Sequence, residues 1–242
     1  YDTTIRTEQV LKEISLQPLK LNASNIRLQI ATTSGRDLFN RLRDNPYIKY
    51  NQFGTRTGRL TTRPNSFPIL TLPKKIRGVI EPYKSVFLEF DVVSAEVATL
   101  FYLTDQPIPE GDLHEWINKK AFGGKLTRDE SKKRFFSWLY DPRKSNESLE
   151  KLFSRQEILE RYYSNGKITN PLGRKIEVGE EKALNYLVQS TFNDIFLFNI
   201  ARLSNKMKKW GMKSRISFVV HDSVVLDFDK AERSKIEDIM SV

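Results

Sequence analysis

Residues 216–228 read Ile-Ser-Phe-Val-Val-His-Asp-Ser-Val-Val-Leu-Asp-Phe. Two β-favouring apolar runs, Ile216 to Val220 and Val224 to Phe228, flank His221-Asp222-Ser223, which predicts a hairpin carrying an aspartate at its tip. Upstream, Val86 to Phe90 is another short run of this kind and ends in Asp91, and Ser94 to Tyr102 follows as a predicted helix with Val97, Leu100 and Phe101 on one face. Asp91 and Asp222 thus each close an apolar strand, where a carboxylate projects from a sheet edge toward a common cleft. The chain has no cysteine and two histidines, so any metal must sit on oxygen or imidazole. A carboxylate pair best suits Mg²⁺, which binds few carboxylates, keeps waters and shares its shell with substrate phosphates. Two such ions about 4 Å apart stabilise both the attacking and the leaving oxygen of an in-line phosphoryl displacement. Aspartate is also a common turn residue, and either residue alone leaves that reading open.

Between the two aspartates the pattern is helical. Asp112 is placed to cap a helix reaching about Ala121, Gly123 and Gly124 break it, and Thr127 with Asp129 and Glu130 starts another that lasts to Tyr140. On that second helix Arg128, Lys132, Phe136 and Tyr140 recur every fourth residue and form one stripe, cationic at one end and aromatic at the other. Cations in the first turns oppose the helix dipole, a local cost that an external anion such as a triphosphate would relieve. The aromatic half can stack on a base. His114, near the start of the preceding helix, is placed to help Arg128 hold phosphate oxygens, and an ordinary surface histidine is the alternative. A solvated face and ordinary core packing are the alternatives for these residues. Residues 50–82 are rich in Gly, Pro, Thr and Arg and predict extended chain and turns, with Arg59 and Asn65 among the donors. Asn185 and Gln189 lie one turn apart on the longest predicted helix, about Glu180 to Trp210. Such donors suit the minor groove, where every base pair offers acceptors at nearly the same places.

The whole chain, 242 residues, corresponds to roughly one and a half ordinary domains. Hydrophobic residues at 39% supply a sizeable core, and forty Lys plus Arg against thirty Asp plus Glu leave a net charge of +10. That excess favours a polyanionic partner, nucleic acid or an anionic membrane surface. No apolar run approaches the roughly 20 residues of a membrane span, and no signal peptide is legible, so a soluble, intracellular protein is expected, in cytoplasm, nucleoid, organelle or host cell. The start at Tyr1 without methionine and the stop at Val242 within an apparent helix read as a piece of a longer polypeptide. Residues 1–45 show no strong period beyond a helix around Arg36 to Asp44. Glu147 to Tyr163 predicts further helical turns, and Lys167 to Val178 a hairpin around Asn170-Pro171-Leu172-Gly173. The expected fold class is α+β: a small antiparallel sheet backed by helices, with a mainly helical insertion.

Four segments, in this order, resemble the A family of DNA polymerases, the group of bacterial DNA polymerase I. They are Asn51-Gln52 with TRTGRLTTRPN (55–65), FDVVSAEVA (90–98), the R-x3-K-x3-F-x3-Y ladder of Arg128 to Tyr140, and VVHDSVVLDF (219–228). The resemblance implies a right-hand polymerase. Residues 1–45 would be a lead-in and at most a thumb base, 46–105 and 181–242 the two parts of the palm, and 106–180 shortened fingers. It implies template-directed addition of dNMP from dNTP to a primer 3′-hydroxyl by two-metal phosphoryl transfer, with two Mg²⁺ ions that Mn²⁺ can replace. Asp91 and Asp222 would bind the metals, and His114, Arg128 and Lys132 the triphosphate. Phe136 and Tyr140 would flank the nascent pair, and Glu96 would crowd a ribose 2′-hydroxyl. Arg59, Asn65, Asn185, Gln189 and His221 would touch primer-template DNA, and no membrane partner is implied. The chain departs from the pattern at Val92, Val93, Ser94 and Ala95, at Asp141 after the ladder, and at Ser223, where the family has glutamate. Serine there is similar to phage-type single-subunit RNA polymerases, the first alternative, although Phe136 and TGRL with Glu96 match the DNA enzymes. The second alternative is an inactive DNA-binding relic.

Overall fold

The structure, a computed structural model, describes residues 2–240. The expected helical stop at Val242 falls outside the described residues. Contacts divide the chain into two units, one of Tyr1–Thr55, Leu60–Asp91 and Phe196–Val242, the other of Arg56–Arg59 and Val92–Ile195. These units group residues 92–105 and 181–195 with the helical insertion, because Val97, Leu100, Leu184 and Leu187 share its apolar core.

The first unit opens with α1 (Asp2–Ser15), β1 (Lys20–Leu21), α2 (Thr33–Asp44) and β2 (Tyr50–Asn51). After residues 56–59 it continues with β3 (Thr61–Thr62), α3 (Lys74–Arg77), β4 (Ile80–Glu81) and β5 (Val86–Asp91). Helix α1 corrects the reading of residues 1–45 as largely without pattern. Val10, Leu11 and Ile14 are buried along it together with Thr7, and a polar residue within the apolar stripe is what breaks the period in the sequence.

The second unit follows with α4 (Ala95–Leu103), α5 (Leu113–Phe122), α6 (Arg128–Tyr140), α7 (Glu147–Leu152) and α8 (Arg155–Tyr162). A three-stranded meander of β6 (Tyr163–Ser164), β7 (Lys167–Thr169) and β8 (Lys175–Glu177) leads into α9 (Glu180–Lys209), which contributes residues to both units. The helix starts are set by local chemistry. Asp112 accepts from the backbone N–H groups of His114 and Glu115, and Thr127 with Glu130 forms a reciprocal capping box. Phe135, Trp138 and Leu139 bury one face of α6 against Leu113, Ile117 and Phe153, and the Arg128 to Tyr140 stripe runs along the flank of that face, with Phe136 partly buried against the core.

Helix α9 stops in the first unit at Gly211, whose φ is +59°. Met212 N–H donates to Met207 C=O and Gly211 N–H to Lys208 C=O, the paired bonds of a Schellman cap, which only a residue tolerant of positive φ completes without strain. The chain then forms β9 (Arg215–Val220), β10 (Ser223–Phe228) and α10 (Arg233–Met240). Strand β10 is central, antiparallel to β5 on one side and β9 on the other, and every one of its residues is buried. Its continuous apolar run is the signature of a strand covered on both faces. Tyr50 pins the sheet from outside: its buried hydroxyl donates to Val219 C=O at 2.6 Å and accepts from Val219 N–H at 2.8 Å. The fold is α+β, small antiparallel sheets with helices, as the sequence predicts.

Candidate functional site

In the first unit the register brings the two aspartates together. Asp91 ends β5 directly opposite Ser223, the residue that follows Asp222 at the start of β10. His221 and Asp222 are the two-residue loop between Val220 and Ser223, and His221 takes φ +55°, the left-handed conformation that primed hairpin turns require. The turn thereby holds Asp222 at the strand ends. A third carboxylate joins them that sequence reasoning did not single out. Glu89 lies two residues before Asp91, hence on the same face of β5, and accepts a hydrogen bond from the buried Ser223 Oγ at 2.8 Å. The alternation along β5 was the available signal. Partial desolvation, then the Asp222 charge, then the Glu89 charge push the Asp91 carboxyl above its ordinary value of 3.8. All three causes disfavour its ionised form, and a divalent cation is the group that would relieve them. Among the described residues no group of three or more His, Asp or Glu side chains is placed to hold a metal ion. Asn65, the other nominated residue of this unit, occupies a separate exposed turn with φ +54°.

In the second unit the ladder is continuous. Lys132 Nζ stands 5.9 Å from the Phe136 ring centroid, and Phe136 stacks on Tyr140 with centroids 5.5 Å apart and planes within 5°. The Tyr140 hydroxyl donates to Glu96 at 3.1 Å and accepts from Gln189, whose Nε2 also lies 2.6 Å from Asn185 Oδ1. Desolvation and the adjacent Glu96 carboxylate hold that hydroxyl protonated well above its ordinary range, and the Arg59 charge opposes them. Glu96, Tyr140, Gln189, Asn185 and Arg59 thus form one neighbourhood assembled from three helices and an extended segment.

Two features of the cationic end depend on packing that the sequence does not announce. His114 is buried, which sets aside the surface alternative, with its ring against Phe135 and Phe136 and its Nδ1 without a hydrogen-bond partner among the described residues. Burial first, then Lys132 and Arg128, drive its proton off below the ordinary 6.5, against the weaker pull of Asp112. Arg128 does not wait on an external anion to balance the α6 dipole. Its Nε donates to Asp112 Oδ2 at 2.7 Å, so a single carboxylate caps α5 and neutralises the first cation of α6.

A lowered histidine pKa is a stability statement with a definite sign. The unfolded chain binds the proton more readily, so the stability due to neutral His114 is complete above about pH 6.5 and is lost as the pH falls through its folded value. We expect the melting temperature of the parent to fall between pH 7 and 5 more steeply than that of His114→Phe. Parallel slopes in a circular-dichroism pH series would contradict this account of the ring.

Among the described residues no helix is long and apolar enough to cross a membrane. No protein-family model and no curated protein matches the sequence. Among solved structures the chain is similar to the POL domain of Pol1 from M. smegmatis, determined in complex with DNA primer-template and dNTP. The TM-score is 0.63 at 20% identity, over 85% of this chain and 46% of that one, so this chain spans less than half the length of its structural neighbour. The likeness establishes a polymerase-domain fold.

Proposed function

We propose that this chain carries the nucleotidyl-transfer core of a template-directed DNA polymerase of the A-family kind, joining dNMP from dNTP to a primer 3′-hydroxyl. The observation that carries the reading is the convergence of Asp91 and Asp222 at adjoining strand ends, in a fold shared with a domain whose solved complex contains primer-template and dNTP. Asp91 and Asp222 would hold divalent cations, Mg²⁺ or Mn²⁺, which when bound supply charge neutralisation at the attacking and leaving oxygens. Lys132 and Arg128 would take the negative charge of the triphosphate and of the departing pyrophosphate, and His114 would support them as a neutral ring packed beneath. Phe136 and Tyr140, already stacked on each other, would present a flat aromatic face to the nascent base pair. Glu96, anchored by the Tyr140 hydroxyl, would close off the 2′ side of the sugar. Arg59, Asn65, Asn185, Gln189 and His221 would contact primer and template.

Primer extension with the four dNTPs, with and without Mg²⁺, tests the reading, and the four rNTPs form the parallel arm. Metal-dependent, template-directed deoxynucleotide addition is the expected result. Strong preference for rNTPs would transfer the assignment to an RNA polymerase, and salt-sensitive DNA binding without incorporation would reduce it to a binding relic.

A further inference from the structure

The four residues Arg56–Arg59 lie outside the helices and strands, yet belong to the helical unit by their contacts. Their backbone is held closely. Asn193 Nδ2 donates to Thr57 C=O at 3.2 Å in a buried setting, and the Arg56 guanidinium lies 5.6 Å from the Tyr186 ring centroid. Gly58 takes φ +78°, and a Cβ added there would stand 2.7 Å from Arg174 Nη2. Arg174 has little freedom to retreat. Its Nη2 donates to Asp194 Oδ1 at 2.6 Å and its Nε to Asp194 Oδ2 at 2.9 Å, a two-pronged charged pair. Asn170 Nδ2 donates to the same carboxylate, at Oδ2, at 2.8 Å. The ion pair is largely buried, with 22% and 13% of the two side chains exposed, so the Arg174 charge is satisfied inside the protein. Arg59, one residue beyond Gly58, is exposed, and its charge is felt at the Tyr140 hydroxyl.

We propose that Arg174, locked on Asp194, is a positioning residue for nucleic-acid binding: its guanidinium is the wall against which Gly58 seats, and it thereby sets the direction in which Arg59 is presented to primer-template DNA. The proposal rests on the polymerase reading and deepens it, since it names the β7–β8 hairpin as part of the DNA-binding apparatus without any contact of its own to DNA. A planar fork is needed to hold both carboxylate oxygens while keeping one flat face toward Gly58, so lysine does not substitute.

The test is anisotropy of a labelled primer-template duplex with the full chain, compared across Arg59→Ala, Arg174→Ala, Arg174→Lys, Gly58→Ala and the Arg59→Ala/Arg174→Ala double variant, each checked for folding by circular dichroism. Arg59→Ala and Arg174→Ala should each weaken binding about tenfold, the cost of one lost charged contact. The double variant should also lose about tenfold and not about a hundredfold, because the second substitution removes nothing that the first left working. Arg174→Lys should behave as alanine. Gly58→Ala, which leaves the Arg174–Asp194 pair in place, should weaken binding too and keeps the test open if Arg174→Ala does not fold. Parent affinity in both Arg174→Ala and Gly58→Ala, or multiplicative losses in the double variant, overturns the inference alone. A parent chain that fails to bind primer-template overturns the polymerase reading itself.

Discussion

Asp91→Asn should lower primer extension by about a thousandfold or more, and the variant should melt no lower than the parent. The first half follows from what a single metal-holding carboxylate contributes: about 4 kcal/mol of charge stabilisation in the transition state is three decades of rate. The second half follows from the sign of the Asp91 shift. Its carboxyl titrates higher in the folded protein than the ordinary 3.8, through desolvation and the charges of Asp222 and Glu89, so the folded state binds that proton more tightly than the unfolded chain does. Stability from this group is therefore present below the ordinary value and is lost as the pH rises through the folded one. At neutral pH the ionised side chain opposes folding, and an isosteric amide removes the opposition without disturbing the β5–β10 register. Mg²⁺ should raise the melting temperature of the parent by binding the native state, and the rise should shrink in Asp91→Asn. Asp222→Asn should lose extension to a similar degree. Synthesis by either variant at more than a tenth of the parent rate, or a clear drop in the Asp91→Asn melting temperature, would sink the assignment.

The parts of this architecture that were legible are those specified by neighbours in sequence. Thr127 and Glu130 cap α6 because the bond partners are three residues apart, Asp112 caps α5 for the same reason, and the Ile216 to Phe228 hairpin is set by two apolar β-favouring runs around a short polar turn. The four-residue spacing of Arg128, Lys132, Phe136 and Tyr140 likewise needs only helical geometry to become a ladder. What could not be read depends on distant partners. Ser223 finds Glu89 across 134 residues of chain, Arg128 finds Asp112 across 16, and Arg174 finds Asp194 across 20, and no local rule announces any of them. The burial of His114 is of the same kind, since only the packing of α5 on α6 places its ring against Phe135 and Phe136. Helix α1 was hidden for a different reason: Thr7 occupies a buried position that the apolar period assigns to a hydrophobic residue.

The cations of the ladder should not be equal, and the inequality is measurable. Arg128 shares its charge with Asp112 at 2.7 Å, whereas Lys132 is exposed and rests on the Phe136 ring, with no carboxylate at ion-pairing distance among the described residues. An anion arriving at α6 meets the full charge of Lys132 and a partly answered charge on Arg128. We therefore expect Lys132→Ala to lower the rate of deoxynucleotide addition by about 10²- to 10³-fold, the usual loss on removing one preorganised group that meets developing negative charge. Arg128→Ala should cost less, since its guanidinium already donates to Asp112 and has less of its bonding capacity to offer a phosphate oxygen. Primer-template affinity should be unchanged in Lys132→Ala, because its proposed partner is the nucleotide and not the duplex. Single-turnover kinetics at saturating DNA separate the two variants. A larger loss from Arg128→Ala, or a Lys132→Ala defect confined to DNA binding, would mean that the exposed charge on α6 serves the duplex, and the triphosphate would then have to be held by other residues.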